Sequence, residues 1–442
     1  MGVEGQSVTD LAEVRLWGNT IGAVAFDRQK GFAVFEYDRQ FASTGIEVSP
    51  LKMPLDSRAY MFPDLAFPTF HGLPGLLADS LPDRFGNQLI DTWLRMQKRE
   101  AGSLNPIERL CYTGARGMGA LEFAPSMGPR VTTAHRIKIN ALVELASEIL
   151  TSRNDLEASF ATSSRKRALS DILRVGTSAG GARAKAVIAW NRETQEVRSG
   201  QTEAGDGFES WLIKFDGVRG NKDKELEDPQ GYGLIEFAYH KMAQDCGINM
   251  NECRILNEGN RNHFMTRRFD RFDGGKKLHM QSLGALAHYD YNEPGAYAYE
   301  DALFVIRRLG LGMMAIEEQF RRMVLNIIGR NQDDHVKNIA FLMNQSGSWS
   351  LSPAFDLTYS YNPSGDFTSN HQMTLNGKRD NFTLDDFKAC ARSASMKRGR
   401  AEAIIDEVRA VVSRWRDYAD EVGVNSEQRD KIQNVLRLDP FA

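Results

Sequence analysis

Closely spaced cysteines are absent from this 442-residue sequence. Its four cysteines, Cys111, Cys246, Cys253 and Cys390, lie far apart and show no paired spacing of the kind that metal ligands have. The pattern indicates reduced thiols in a reducing compartment rather than a disulfide framework or a zinc site.

Long apolar runs are absent as well. No run approaches the roughly 18 residues that a bilayer-spanning helix needs. The first residues, MGVEGQSVTDLAEVRL, contain no basic segment followed by an apolar one, so they do not have the pattern of a secretory leader. We therefore expect a cytoplasmic protein without a membrane partner.

An excess of charge of either sign is also absent. The 55 Lys and Arg against 58 Asp and Glu give a formal net charge of −3, so the overall charge does not demand nucleic acid as a partner. Local basic clusters at 163–167 and 396–400 are more often solvated surface than DNA contacts. The length and the 42% hydrophobic composition suggest two or three packed units rather than a single core.

The hydrophobic pattern changes along the chain. Residues 13–50 alternate apolar and polar, which predicts a small antiparallel sheet. The segment 70–100 begins as a loop and becomes an amphipathic helix, and 112–123 is a glycine-rich connection into a short strand. Residues 137–170 are predicted to be helical, and the pattern from about 230 onward is mostly helical. We predict an α+β fold with a β-containing N-terminal part, a mixed middle and an α-rich C-terminal part, with boundaries near 125 and 265.

A glycine-rich stretch, RVGTSAGGARAKAVIAW (174–190), leads into a predicted strand. Gly180 and Gly181 follow Thr177 and Ser178 closely, and glycine lets backbone N–H groups approach phosphate oxygens without a Cβ between them. The stretch lacks the GxxxxGK[ST] spacing of a Walker loop. Phosphate binding and a tight hairpin both remain open.

The predicted strand SWLIKFDG (210–217) contains Lys214. A lysine within an apolar strand is unfavourable unless its ammonium finds a partner or reaches water. Lys214 follows the glycine-rich stretch in the order that protein kinases use, where a loop covers the phosphates and a strand lysine binds them. An edge-strand lysine that reaches solvent is the alternative. Glu236, in the helix that follows, could hold this lysine in an ion pair.

Polar residues interrupt an apolar region at NQDDHVKN (331–338). Asp333 and Asn338 have the D-x-x-x-x-N spacing of a kinase catalytic loop, where the Asp orients or deprotonates the attacking hydroxyl and the Asn binds Mg²⁺. Asp356, in LSPAFDLTYS, follows Asn338 by 18 residues (356 − 338), where a second Mg²⁺-binding carboxylate belongs. Chance spacing or a turn cap could explain each signal alone, but their order favours a phosphoryl-transfer site.

Taken in this order, the motifs resemble those of the HipA-like serine/threonine kinases, the toxins of bacterial toxin–antitoxin pairs. LWGNTIGAVAF, HGLPGLLADSLPDRFGNQLI and YTGARGMGALEF resemble the family's N-terminal subdomain. GTSAGGARAKA, WLIKFDG, FMTRRFDR, HMQSLGALAH, RNQDDHVKNIAFLM and LSPAFDLTYS resemble its kinase core. The resemblance implies a two-lobed, protein-kinase-like fold that uses ATP and Mg²⁺. It also implies an N-terminal subdomain at 1–125, the rest of the N-terminal lobe at 126–265 and a helical C-terminal lobe at 266–442.

The resemblance also implies roles for single residues. Asp333 would be the catalytic base, Asn338 and Asp356 would hold Mg²⁺, and autophosphorylation of Ser178 or Thr177 would switch the kinase off. Backbone groups at 267–269 would face adenine as a hinge between the lobes, and the side chain at 270 would reach the ribose. The residues implied in ATP binding are Ala179, Gly180, Gly181, Lys185, Lys214, Arg267, Arg268, Phe269, Asp270, His335, Lys337 and Phe355.

The partners implied by the resemblance are ATP, a HipB-like DNA-binding antitoxin and a protein substrate. The substrate would be an aminoacyl-tRNA synthetase, most often glutamyl-tRNA synthetase, whose phosphorylation would block translation and growth. DNA would be contacted mainly through the antitoxin, and the segment 70–87 would be a surface for antitoxin or substrate, or else an internal packing loop. The alternatives are a small-molecule kinase and a non-catalytic family member. Retention of Lys214, Asp333, Asn338 and Asp356 together speaks against the non-catalytic one.

Overall fold

The computed structural model describes most of the chain, namely residues 9–128, 136–151, 172, 183–200, 204–218, 222–223, 226–227, 230–272 and 275–439. Its first sheet consists of β1 Leu11–Leu16, β2 Asn19–Asp27, β3 Phe32–Tyr37 and β4 Leu121–Ala124. The four strands are antiparallel and lie in the order β3-β2-β1-β4. Alternate residues such as Val14 and Phe35 have no exposed surface, because the two-residue period of a strand sends them to one face. The predicted antiparallel sheet is therefore confirmed.

Five helices separate the third and fourth strands of this sheet. They are α1 Arg39–Ala42, α2 Phe67–Phe70, α3 Gly75–Ala78, α4 Arg84–Met96 and α5 Pro106–Thr113. The predicted amphipathic helix is α4, whose residues Phe85, Leu89 and Ile90 are buried. Asp83 begins it, since its Oδ1 accepts the N–H of Gly86 at 2.6 Å.

A second sheet of five antiparallel strands follows the helix α6 Ile139–Thr151. Its strands are β5 Lys185–Asn191, β6 Val197–Ser199, β7 Phe208–Lys214, β10 Cys253–Glu258 and β11 Arg261–Arg267, in the order β10-β11-β7-β5-β6. The short pair β8 Lys222–Asp223 and β9 Leu226–Glu227 lies apart from it. Lys185 and Lys214 are directly opposite each other in β5 and β7, so their side chains share one face.

The C-terminal part packs around the largest buried cluster, which includes Tyr239, Phe320, Phe341 and Trp415. Its helices are α7 Tyr232–Asp245, α8 Leu283–Ala287, α9 Tyr299–Arg308, α10 Met313–Ile328, α11 Leu384–Ser393, α12 Arg400–Val412, α13 Trp415–Val422 and α14 Ser426–Gln433. A three-stranded sheet, β12 His279–Ser282, β13 Ala340–Met343 and β14 Trp349–Leu351, lies beside them. The predicted α-rich C-terminal part is confirmed.

Three strands in this region were not predicted from the helical pattern. These are β10, which pairs with β11, and β12 and β13, which pair with each other although they are 58 positions apart in sequence (340 − 282). Strand formation here depends on partners that are distant in sequence, and such context overrides local propensity. The boundary predicted near 265 falls inside β11. Of the helix predicted at 137–170, the structure shows α6, and 152–171 lies outside the described residues.

The N-terminal sheet and its helices dock directly on the C-terminal part. The Asp79 carboxylate accepts hydrogen bonds from the N–H and hydroxyl of Ser282 at 2.7 and 2.9 Å. The Gly75 N–H donates to His288 Nε2 at 3.0 Å. A Cβ at Gly75 would lie 2.2 Å from the backbone oxygen of Ala285, so only glycine permits this approach. The segment 70–87, predicted as a partner surface or an internal packing loop, is mostly buried here.

The four cysteines are buried free thiols, as predicted. Burial raises the pKa of the Cys253 thiol to about 12, so this thiol stays protonated near neutral pH. Within the described ranges, no helix is both long and apolar enough to cross a membrane.

Candidate active site

One cavity of about 620 Å³ lies where the five-stranded sheet, the loop after α10 and the start of α4 meet. The sheet contributes the face that carries Lys185 and Lys214, and the N-terminal unit contributes residues of the segment 78–91. Eleven of the predicted site residues line it: Lys185, Lys214, Arg267, Arg268, Phe269, Asp333, His335, Lys337, Asn338, Phe355 and Asp356. Motifs separated by up to 171 residues (356 − 185) thus meet at one cavity.

The loop that carries Asp333 begins where α10 ends. Arg330 has a left-handed backbone conformation, with φ of 56°, and the loop then pairs in parallel with the segment at 360 through Asn331. The Asp333 side chain is 23% exposed, and its Oδ1 lies 3.8 Å from His335 Nε2. Asn338 Nδ2 donates to the Asp333 carbonyl oxygen at 2.9 Å. This bond fixes the two ends of the D-x-x-x-x-N segment relative to each other.

Lys214 bridges two carboxylates. Its Nζ donates to Glu236 Oε1 at 2.6 Å and to Asp356 Oδ1 at 2.7 Å, so the ion pair predicted between Lys214 and Glu236 is present. Burial opposes the charge of Lys214, but Asp356 and Glu236 outweigh it and raise the pKa of the ammonium. Burial together with Asp356 raises the pKa of Glu236, although Lys214 acts in the opposite direction. The strand lysine therefore stays charged and points toward the loop at 356.

Asp356 has a left-handed backbone with φ of 53°, an unfavourable conformation that clusters at functional sites. Burial acts to raise the pKa of its carboxyl, but Lys214 and Lys185 lower the pKa to about 2, so the group is ionised at neutral pH. Asn338 directs its Nδ2 to the Asp333 carbonyl and leaves Oδ1 as the end that a cation could take. An ionised carboxylate and an amide oxygen are the hard donors that Mg²⁺ prefers, so the pair fits this cation.

The donor set is small for a metal held by protein groups alone. Among the residues that the structure describes, no group of three or more His, Cys, Asp or Glu side chains is placed to bind a metal. Mg²⁺ commonly takes one or two carboxylates and completes its shell with water and substrate phosphates. Asn338 and Asp356 are therefore suited to a cation that arrives with a phosphorylated ligand.

Lys185 approaches a carboxylate from the N-terminal unit that the sequence did not indicate as part of the site. Its Nζ lies 3.9 Å from Asp83 Oδ2, and both side chains are 4% exposed. Burial raises the pKa of Asp83, and Lys185 offsets this only in part. A Pro-Asp pair before a helix signals an N-cap, but no local signal shows that the second carboxylate oxygen faces a lysine 102 positions later (185 − 83).

Residues 267–269, at the C-terminal end of β11, line the cavity, and their role as a hinge that faces adenine stays a prediction. The ring of Phe269 lies 5.8 Å from that of Phe355, centroid to centroid, and both rings line the cavity. Aromatic rings that line a cavity can contact a planar ring such as a purine.

Asp270 does not line this cavity, so the structure gives no support to the predicted contact with ribose. Its carboxylate is fully buried and accepts hydrogen bonds from Arg268 Nη2 and Arg271 Nη1, both at 2.7 Å, and from the N–H of Gly119 at 2.6 Å. Burial opposes its ionisation, but the two guanidinium groups hold the pKa of Asp270 far below its usual value. This ion-pair network binds residues 268–271 to the N-terminal unit, and the contact of Asp270 with ribose stays a prediction.

Five predicted residues lie outside the described residues: Thr177, Ser178, Ala179, Gly180 and Gly181. Their predicted roles in ATP binding and autophosphorylation remain predictions. Arg183, which follows them, lines the cavity and lies over the ring of Tyr232 at 3.8 Å from the ring centroid.

The fold and the cavity define a two-lobed, kinase-like α+β protein, as the sequence predicted. The description "HipA N-terminal domain" matches residues 12–124 and "HipA-like C-terminal domain" matches residues 177–415. The chain belongs to the HipA family.

Solved structures give a matching view of the fold. HipA of the Shewanella oneidensis MR-1 toxin–antitoxin system, solved with HipB and its operator DNA, is 17% identical, with a TM-score of 0.67 over 97% of both chains. The likeness supports the two-lobed fold. The Helicobacter pylori proinflammatory kinase CtkA is 14% identical over 52% of this chain and 86% of its own, and its TM-score of 0.35 is too low to bear on the argument. No curated protein matches the sequence.

Proposed function

We propose that this protein is an ATP- and Mg²⁺-dependent serine/threonine protein kinase and the toxin of a toxin–antitoxin pair. The observation that carries the proposal is the bridge from Lys214 to Glu236 and Asp356 in the cavity that Asp333 and Asn338 also line. A cation-binding carboxylate, a strand lysine and a candidate base at one cavity are what phosphoryl transfer from a nucleotide requires. Membership of the HipA family adds to this support.

The chemistry would consist mainly of positioning and charge stabilisation. Lys214 would bind the nucleotide phosphates, and Asn338 and Asp356 would hold Mg²⁺, which neutralises charge on those phosphates. Asp333 would accept the proton of the acceptor hydroxyl as its oxygen bonds to the γ-phosphorus. The bond from that phosphorus to the bridging oxygen then breaks, and ADP leaves. Phe269 and Phe355, which both line the cavity, would contact the base.

The substrate and the regulation that we propose are those that the resemblance to the HipA-like kinases implies. We expect a protein acceptor such as an aminoacyl-tRNA synthetase, with glutamyl-tRNA synthetase as the first to test. Autophosphorylation at Ser178 or Thr177 would switch the enzyme off. The HipA of S. oneidensis was solved with HipB and operator DNA, and a HipB-like antitoxin is the corresponding partner proposed here, with DNA contacted mainly through it.

The first test is intact mass before and after incubation with ATP and Mg²⁺, for wild type beside Asp333→Asn. Asp333→Asn keeps the size of the side chain but removes the base. We expect wild type alone to gain one phosphate, at Ser178 or Thr177 by peptide sequencing, and to phosphorylate a synthetase added in a second incubation. If the starting mass shows that the protein already carries phosphate, this phosphate is removed with phosphatase first. Unmodified wild type that neither binds ATP nor transfers phosphate would overturn the proposal.

A further inference from the structure

The carboxylate next to the candidate base points into the protein rather than into the cavity. Asp334 is fully buried as a side chain. Its Oδ2 accepts from Tyr299 Oη at 2.5 Å and from His371 Nδ1 at 2.7 Å. Its Oδ1 accepts from the N–H of Gln372 at 2.7 Å. The side chain of Asp333 therefore lines the cavity, whereas the side chain of Asp334 anchors the loop to the protein interior.

The other ring nitrogen of His371 contacts an arginine near the end of the described chain. Arg437 Nη1 lies 3.0 Å from His371 Nε2. A guanidinium can only donate, so Nε2 accepts and the ring proton sits on Nδ1, facing Asp334. Asp380 pairs with the other guanidinium nitrogen of Arg437, and the ring of Phe382 lies 5.4 Å from the guanidinium carbon. The network thereby fixes both the tautomer and the orientation of His371.

The segment 435–437 also forms hydrogen bonds with the residues where α10 ends and the loop begins. The Arg437 N–H donates to the Ile328 carbonyl at 3.0 Å. Arg330 Nε donates to the Val435 carbonyl at 2.7 Å. Arg330 is the residue held in the left-handed conformation, which costs about 1 kcal/mol or more outside glycine and persists only where the surroundings impose it. The segment is thus bonded on both sides of the turn into the loop.

We propose that His371 and Arg437 are positioning residues, which hold the backbone of residues 331–338 through Asp334 so that Asp333 meets the acceptor hydroxyl. Neither residue lines the cavity, so neither is expected to touch nucleotide or acceptor. This inference rests on the proposed kinase function and names the part of the fold that aligns its base.

Burial alone would favour a neutral Asp334. It acts to raise the pKa of this carboxyl, but His371, Tyr299 and the N–H of Gln372 outweigh it and lower the pKa below its usual range. An ionised carboxylate accepts stronger hydrogen bonds than a neutral acid does. The anchor is therefore strong, and removing one donor should shift the loop without unfolding the lobe.

The expected effect is on the rate of transfer rather than on nucleotide binding. Displacing a catalytic group by about 1 Å can cost on the order of a hundredfold in rate. We therefore expect Arg437→Gln to lower kcat by about ten- to a hundredfold with the KM for ATP unchanged within about twofold. His371→Phe, which removes the donor to Asp334, should lower kcat at least as much, and His371→Asn, which keeps an N–H near the Nδ1 position, should recover part of it.

The matched control is Arg429→Gln. Arg429 lies in α14, and its guanidinium pairs with Asp420 and Asp430, so the substitution removes an arginine from the same region without touching the loop. We expect wild-type kinetics from it. Because His371 and Arg437 act through one loop, the double variant His371→Phe/Arg437→Gln should lose no more than the worse single variant, in contrast to independent sites, whose effects add.

Hydrogen exchange provides a readout that does not depend on activity. Amides in 331–338 should exchange faster in Arg437→Gln than in wild type or Arg429→Gln, while the core helix α10 keeps its protection. Kinetics and exchange equal to wild type in Arg437→Gln, beside an active wild type, would refute the inference alone. Equal losses in the two arginine variants would refute it too, since they would indicate a general effect. An inactive wild type would instead refute the kinase proposal.

Discussion

Replacing Lys214 with methionine should destabilise the fold because it leaves the buried carboxylate of Glu236 without its cationic partner. The side chain of Glu236 is 2% exposed and that of Lys214 is 11% exposed, whereas Asp356, the other partner, is 31% exposed. Loss of one member of a buried pair costs roughly 3–5 kcal/mol because the other charge remains in the interior. Asp356 can turn to water, so only Glu236 contributes fully. We expect Lys214→Met to lower the free energy of unfolding by about 3 kcal/mol.

The double variant Lys214→Met/Glu236→Met tests the reasoning. Replacing both members of a buried ion pair with apolar side chains of similar volume is often neutral, so this variant should lie within about 1 kcal/mol of wild type. The assay is urea unfolding without nucleotide, followed by both tryptophan fluorescence and circular dichroism, because two lobes need not unfold in one transition. A double variant as unstable as the single one would refute the argument.

The pH dependence carries a definite sign. The pKa of Glu236 is already raised by burial, and loss of Lys214 raises it further. An acid with a raised folded pKa binds more protons folded than unfolded, so stability falls as pH rises above the unfolded value of about 4.3. The deficit of Lys214→Met relative to wild type should therefore be smaller at pH 5 than at pH 8. A deficit independent of pH would place its origin in packing rather than in charge.

Substitutions at three further positions give sharp expectations. Asp83→Asn keeps the cap on α4 but removes a buried carboxyl whose pKa is raised by burial. By urea unfolding this variant should be at least as stable as wild type at pH 8 and should show no gain in stability at pH 4. Asp83→Ala also removes the cap and should therefore lose about 1 kcal/mol. Asp356→Asn should raise the Mg²⁺ concentration for half-maximal phosphorylation at least about tenfold, and unchanged Mg²⁺ dependence would exclude it as a ligand. Asp270→Asn leaves Arg268 buried without its carboxylate, so its urea midpoint should correspond to a loss of about 3 kcal/mol. Because the folded pKa of Asp270 is depressed, that loss should shrink as the pH falls below about 4, and a loss constant with pH would contradict the ion-pair explanation.

Sequence patterns predicted the elements that have a clear hydrophobic period within their own residues. The alternation in β1 to β3 and the apolar face of α4 gave the N-terminal elements, because period and burial coincide there. Strands β12 and β13 were missed because their pairing joins distant segments, and no periodicity in a four-residue strand reveals that.

The site shows the same division. Lys214, Asp333, Asn338 and Asp356 could be chosen from sequence because phosphoryl transfer needs those residue types in that order, and the structure places all four around one cavity. Asp83 and the pair His371 and Arg437 could not be found in this way. Their roles depend on distances across the fold, and nothing in their neighbouring sequence distinguishes them from a helix cap or a surface charge.

The fold class, the order of the chemical groups and the family could be predicted from the sequence, because residue type and spacing along one dimension encode them. The pairing of the charges depends on the tertiary structure. It turned Asp270 away from the cavity toward Arg268, brought Asp83 to Lys185 and buried Asp334 against His371. The physical reason is that the energy of a charge depends on its burial and on the partners within a few ångströms, and both are set only when distant segments pack together.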